Sequence, residues 1–129
     1  MGLRILVVED EKDVQSLLKM TLEFTGQHTV LTADDGLEGL RLAESEMPDL
    51  ILLDVMMPHM DGYEVLQQLR SNPKTREIPV IFLSARAQRR EIERGLQMGA
   101  AGYLTKPFNP ATLNEEMMEI YRRLRPEGG

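Results

Sequence analysis

The chain has 129 residues, the size of one compact domain, with 42% hydrophobic and 28% charged residues, as in globular rather than disordered proteins. Cysteine is absent, which excludes a disulfide framework and a thiolate metal site. A formal net charge of −6 argues against broad, non-specific nucleic-acid binding, and no apolar run or signal pattern points to a membrane.

Two periods alternate along the chain. An apolar strand at Arg4–Val8 runs into Glu9, Asp10 and Glu11, and a helix follows with Val14, Leu17, Leu18 and Leu22 at 3–4 spacing, ending near Gly26. A second strand, His28–Ala33, carries His28, Thr29 and Thr32 and is expected at a sheet edge. Asp35–Gly36 opens a helix with Leu37, Leu40, Leu42, Ala43 and Met47, closed by Pro48. Strand three, Leu50–Leu53, ends on Asp54. The bend "MMPHMDGYE" then leads to a helix with Val65, Leu66 and Leu69, stopped at Asn72–Pro73. Strand four, Val80–Leu83, is followed by Ser84 and by a helix with Ile92, Leu96 and Met98 that ends at Gly99. Strand five, Ala101–Leu104, precedes Lys106. Asn109–Pro110 is expected to cap a last helix carrying Leu113, Met117, Ile120, Tyr121 and Leu124, with Arg122, Arg123 and Arg125 at its C-terminus, where cations suit the helix dipole.

Strict β-α alternation predicts a parallel sheet with right-handed crossovers and helices on both faces. Strands one, three and four are continuously apolar, as expected of strands covered on both sides. Residues 1–125 read as one domain and 126–129 as a frayed tail, in a cytoplasmic setting.

In such a sheet the working crevice lies beyond the carboxyl ends of the strands. Glu9, Asp10, Asp54, Ser84 and Lys106 all follow strands and are expected to converge there. Each alone is an ordinary turn residue, helix cap, loop hydroxyl or solvated charge. Three carboxylates packed together raise one another's pKa unless a cation joins them, and Mg2+ takes carboxylate, water and phosphate oxygens in an octahedral shell. The acids are therefore expected to hold Mg2+.

With those residues placed, the chain resembles the receiver domain of two-component response regulators over nearly its whole length. The stretches that carry the resemblance are "ILVVEDE", "DLILLDVMMPHMDGYEVLQQLR", "IPVIFLSA" and "GAAGYLTKPF". It implies a flavodoxin-like, doubly wound (βα)5 fold with strand order 2-1-3-4-5. Asp54 is expected to accept a phosphoryl group from a histidine kinase or histidine phosphotransfer protein. Mg2+ is expected on Asp10, Asp54 and the carbonyl of Met56, with Glu9 acting through a metal-bound water, since many relatives carry the shorter Asp there. Lys106 is expected to pair with a phosphoryl oxygen. The Lys106–Pro107 bond is expected to be cis, with Pro107 positioning the lysine. Ser84 is expected to move toward the phosphoryl group and let Tyr103 turn inward, a two-state switch biased by the added charge.

In this family helix four, strand five and helix five form the face that changes. Here it presents Arg86, Arg89, Arg90, Arg94 and Tyr103, with Glu91 and Glu93 interleaved, either as a solvated helix face or as a docking surface for a protein target. Ala101 and Gly102 stand where many relatives with winged-helix partners carry two acids used in a dimer contact. Since no effector domain follows helix five, a stand-alone regulator is expected, monomeric or dimerising on phosphorylation, without direct nucleic-acid or membrane binding. Beyond Mg2+-dependent transfer of a phosphoryl group onto itself from a phosphodonor, and the slow loss of that group, it is not expected to be an enzyme. A pseudo-receiver is disfavoured because the acceptor, metal and lysine positions are filled. A haloacid-dehalogenase-type phosphatase is disfavoured because Met56 replaces that class's second Asp, and no P-loop stretch exists.

Overall fold

A computed structural model describes residues 2–85 and 88–124; Arg86, Arg125 and the 126–129 tail named above lie outside the described residues. Five strands and five helices alternate: β1 (Arg4–Val8), α1 (Lys12–Gly26), β2 (Thr29–Ala33), α2 (Gly36–Glu46), β3 (Leu50–Asp54), α3 (Gly62–Ser71), β4 (Val80–Ser84), α4 (Arg89–Gln97), β5 (Gly102–Thr105) and α5 (Leu113–Arg123). The strands form one parallel sheet in the order β2-β1-β3-β4-β5, so β2 is an edge, as its threonines suggest.

Period-two alternation divides the apolar strand residues between two cores. Leu6, Val8, Ile51, Leu53, Val80 and Phe82 face α2 and α3, where Ala43, Val65, Leu66 and Leu69 meet them. Ile5, Val7, Leu50, Leu52, Ile81 and Leu83 face α1 and α5, against Leu18, Leu22, Leu113 and Met117. Burying each such leucine stabilises the fold by roughly 1.5–3 kcal/mol, and the two-sided covering explains why the central strands are apolar throughout.

The helix ends show where local chemistry acts. Asp35 caps α2 by accepting from Glu38 N–H at 2.8 Å. Asp61 and Glu64 form a reciprocal capping box that starts α3. Asn109 does not cap α5. Its Oδ1 accepts from Ala111 N–H at 3.0 Å, closing a local side-chain turn, and the helix begins later, at Leu113. Leu17, Leu37, Met47, Leu96 and Leu124, read from spacing as inward, are exposed. Met47 has left α2 in a left-handed conformation (φ 47°), and the small residues Gly36, Gly39 and Ala43 form that helix's buried face instead. At the open β2 edge, Lys19 Nζ donates to the Val30 carbonyl at 3.1 Å.

Candidate functional site

Register alone brings the acids together. β1 and β3 pair Val8 with Leu53, so the next residues, Glu9 just past β1 and Asp54 at the end of β3, stand side by side at the sheet's rim. β4 and β5 pair Ser84 with Thr105, which sets Lys106 one step beyond the same rim. The β1–β2 ladder runs one bond further, Glu9 N–H to the Ala33 carbonyl at 3.1 Å, and this draws the Glu9 side chain fully into the interior.

Two backbone contacts fix Asp54. Val55 N–H donates to the Leu83 carbonyl at 3.1 Å, and Gly62 N–H donates to the Val55 carbonyl at 2.9 Å. A β-carbon at Gly62 would stand 2.5 Å from the Asp54 carbonyl oxygen, so glycine is required there by close approach. His59 turns the loop between them in a left-handed conformation (φ 72°), which nothing in its side chain announces. Lys106 is held from behind, its N–H donating to the Ser84 carbonyl at 2.9 Å, and its peptide bond to Pro107 is cis.

The side chains then meet. Lys106 Nζ lies 2.7 Å from Glu9 Oε1 and 3.3 Å from Asp54 Oδ1. Glu9 Oε2 accepts from Glu11 N–H at 3.1 Å, while the buried Oε1 has only the ion-pair contact and no well-angled hydrogen bond. Asp54 Oδ1 accepts from Met56 N–H at 3.2 Å. Asp10 is half-buried beside them, and donor atoms of Glu9, Asp10 and Asp54 all lie within 4.8 Å of one another.

The electrostatics are frustrated. Burial, then the negative charge of Glu9, push the Asp54 carboxyl up to about 7, against the opposing pull of Lys106 and the Met56 N–H. Burial disfavours the Lys106 charge, yet Glu9 and Asp54 outweigh it and hold the ammonium's pKa above the usual lysine range. Two buried carboxylates thus share one cation. A hard divalent ion fits this donor set: its carboxylates are poorly neutralised, one oxygen lacks a hydrogen bond, and their spread is close to the ~4 Å between opposite ligands of Mg2+.

Glu9, Asp10, Asp54 and Lys106 are therefore brought to one spot, with Ser84 buried at the end of the adjoining strand. Met56 follows Asp54 closely, its side chain 78% exposed. Tyr103 stands apart from the acids, on β5. Its ring lies inward against Phe82, and its hydroxyl donates to the Glu91 carbonyl on α4.

Residue-by-residue reading overlooked Gln15. Its Nε2 donates to the Glu9 carbonyl at 2.9 Å, the Ala33 carbonyl at 3.2 Å and Asp34 Oδ1 at 3.0 Å, tying the turn that carries Glu9 to the end of β2. Its signal was available: a polar residue three before Leu18 and seven before Leu22 lies on the buried face of α1. Also overlooked was an apolar groove beside Lys106, lined by Val14, Leu17, Ala85, Pro107 and Phe108.

The sequence pattern that defines the response regulator receiver domain matches residues 5–118. The chain belongs to that family. It is 45% identical over 95% of its length to the alkaline phosphatase synthesis transcriptional regulatory protein PhoP of Bacillus subtilis, and 42% identical over 98% to the response regulator MprA of Mycobacterium tuberculosis. These alignments cover 50% and 54% of the two relatives, so the receiver spans about half the length of the curated relatives it matches. Among solved structures, the chemotaxis protein CheY4 of Vibrio cholerae superposes with a TM-score of 0.86 at 32% identity, over 93% of this chain and 99% of that one. The Francisella response regulator 1452 receiver domain gives 0.83 at 34% identity, over 95% and 99%. The flavodoxin-like order 2-1-3-4-5 and the role in phosphorylation-based two-component signalling are those of the family. Among the described residues no helix is long and apolar enough to cross a membrane.

Proposed function

We propose that Asp54 is the phosphoryl acceptor of this receiver and that the domain spans residues 1–125. The observation that carries the reading is the shared lysine: Lys106 reaches both Glu9 and Asp54, leaving the carboxylate pair short of positive charge. Glu9, Asp10, Asp54 and the Met56 carbonyl are the groups that would hold Mg2+. When bound, that ion supplies the positive charge needed to bring an anionic phosphoryl group to an anionic carboxylate.

The chain's own residues do the rest. Asp54, fixed through Val55 and Gly62, presents a carboxylate oxygen for in-line attack on phosphorus. The new O–P bond forms as the donor's P–N bond breaks, and the donor's histidine leaves as neutral imidazole after taking up a proton. Lys106, shared by Glu9 and Asp54, turns its ammonium to the new negative charge, and Glu9 keeps its Glu11 N–H bond. Ser84, at the adjoining strand end, donates its hydroxyl to the phosphoryl group. The phosphoryl group, carrying about −1.5 to −2 in place of the carboxylate's single negative charge, then biases α4, β5 and α5, with Tyr103 at their junction. The apolar groove beside Lys106 suits contact with a phosphodonor protein, a histidine kinase or phosphotransfer protein, because Lys106 itself lines it and it is open to solvent. The expectation of a stand-alone regulator with no nucleic-acid partner finds no support in the relatives, which are about twice as long and include one named as a transcriptional regulator.

Incubation with acetyl phosphate and Mg2+, followed by intact mass, tests the acceptor. The wild type is expected to gain one phosphoryl group and Asp54→Asn none. An equal gain in both would move the acceptor elsewhere.

A further inference from the structure

Glu9 and Asp10 are joined by one planar peptide unit, and the way that unit faces sets where both carboxylates point. It lies between elements. β1 has ended at Val8, and α1 begins at Lys12, with the Gln15 N–H to Glu11 carbonyl bond at 2.9 Å in its first turn. Glu11, at the N-cap, makes no side-chain cap that could steady the turn. The unit is pinned from the side instead. The Ala33 carbonyl accepts the Glu9 N–H at 3.1 Å. Gln15 Nε2 donates at 3.2 Å to that same Ala33 oxygen and at 2.9 Å to the Glu9 carbonyl, the oxygen of the peptide that links the two acids. Both backbone polar atoms of Glu9 thus close one ring through Ala33 and Gln15.

A buried amide on the inward face of a helix is costlier than leucine unless its donors are used, and Gln15 is 7% exposed. Its three partners are all acceptors, so the NH2 group faces them. The third, Asp34 Oδ1 at 3.0 Å, belongs to an exposed residue that Lys12 also holds, at 2.6 Å. Asp54 and Lys106 are fixed by other bonds, through Val55, Gly62 and the Ser84 carbonyl.

We infer that Gln15 is a positioning residue for the metal: its amide fixes the Glu9–Asp10 peptide so that both carboxylates face Asp54, and it thereby sets the affinity for Mg2+. The inference rests on the proposal that Glu9, Asp10 and Asp54 hold that ion. Losing the amide weakens ion capture and leaves the phosphoryl acceptor in place.

Gln15→Met keeps the length and bulk of the side chain and removes both donors. In a 15N–1H NMR titration with Mg2+, followed on the Glu11 and Met56 amides, its Kd is expected to be about tenfold weaker than that of the wild type, as for partners that orient metal ligands elsewhere. With acetyl phosphate, the variant is expected to need correspondingly more Mg2+, yet to reach a rate within twofold of the wild type at saturation. Asp34→Ala removes only the exposed partner, and His28→Ala destabilises the opposite end of the sheet. Both are expected to keep the Mg2+ Kd within twofold of the wild type. An unchanged Kd in Gln15→Met overturns the inference. So does an equal weakening in His28→Ala, which would tie affinity to stability, or in Asp34→Ala, which would tie it to surface charge. Absence of any Mg2+ response in the wild type sinks the metal assignment and this inference with it. Should Gln15→Met fail to fold, the wild type decides. Its Gln15 side-chain amide hydrogens are expected to exchange more slowly than those of the exposed Gln67 and to shift with Mg2+ at the Kd read from Met56. Equal exchange, or an amide pair that Mg2+ leaves unmoved, overturns the inference.

Discussion

At the amino end of the sheet, buried polar groups are matched one to one. His28 accepts the Leu3 N–H on Nδ1 at 2.9 Å, which leaves Nε2 to donate to Asn114 Oδ1 at 2.7 Å, and Arg70 gives its two terminal nitrogens to the carbonyls of Ile78 and Gly99, each at 3.0 Å. At the carboxyl end, two buried carboxylates compete for one ammonium and one of their oxygens lacks a hydrogen bond. The same strands carry both arrangements. The difference teaches that the frustration is local to the acids: one end spends its polar groups on cohesion, and the other holds charge in reserve for a ligand.

The contrast can be broken most strongly at Lys106. Lys106→Ala leaves Glu9 and Asp54 buried with no cation, and is expected to destabilise the metal-free protein by about 2–4 kcal/mol at pH 8, read from urea denaturation. The loss should shrink at pH 5, where Asp54 is already protonated in the folded state. A cost that is the same at both pH values would mean that the lysine acts through packing alone.

His28→Ala attacks the other end. It strips the partner from the Leu3 N–H and from Asn114 and is expected to cost about 1–3 kcal/mol, while phosphoryl gain from acetyl phosphate stays at the wild-type rate. A parallel loss of phosphoryl uptake would show that the two ends are not independent.

Asp54→Asn sharpens the comparison through pH. The Asp54 carboxyl titrates near 7 when folded and near ~3.9 when unfolded, so between these values the native state holds a proton that the unfolded chain has released. Stability therefore falls as pH rises through that window. Asn removes the penalty, and the variant is expected to be more stable by roughly 1–2 kcal/mol at pH 8 and little changed at pH 4. Saturating Mg2+ should narrow the gap at pH 8, because it stabilises the ionised wild-type site. A flat difference across pH 4–8 would refute the assigned frustration. The smallest effect is at Asp61→Ala, which removes the α3 cap for about 1 kcal/mol and should leave the pH dependence intact.

The fold was legible because the strands alternate with helices and the central ones are apolar throughout, which two-sided burial demands. The acids were legible because each stands directly after a strand, where parallel register alone carries Glu9 beside Asp54. What spacing could not convey is how far each helix turns its stripe. Leu17, at 39% exposure, and Phe24, at 87%, belong to an apolar face of α1 that no core covers, whereas Gln15 takes an inward place that a propensity argument assigns to leucine. The left-handed His59 likewise owes its conformation to the need to bring Gly62 back against Val55. Tertiary closure, rather than local preference, decides it.

The bond from Lys19 to the Val30 carbonyl has a consequence beyond the folded monomer. β2 is an open border of the sheet, and its outward carbonyls could template a strand from a neighbouring molecule. The Lys19 ammonium, anchored by Glu23 at 2.8 Å, occupies one such acceptor and denies it to an incoming strand. Chemical acetylation of the protein's lysines would unlock that border.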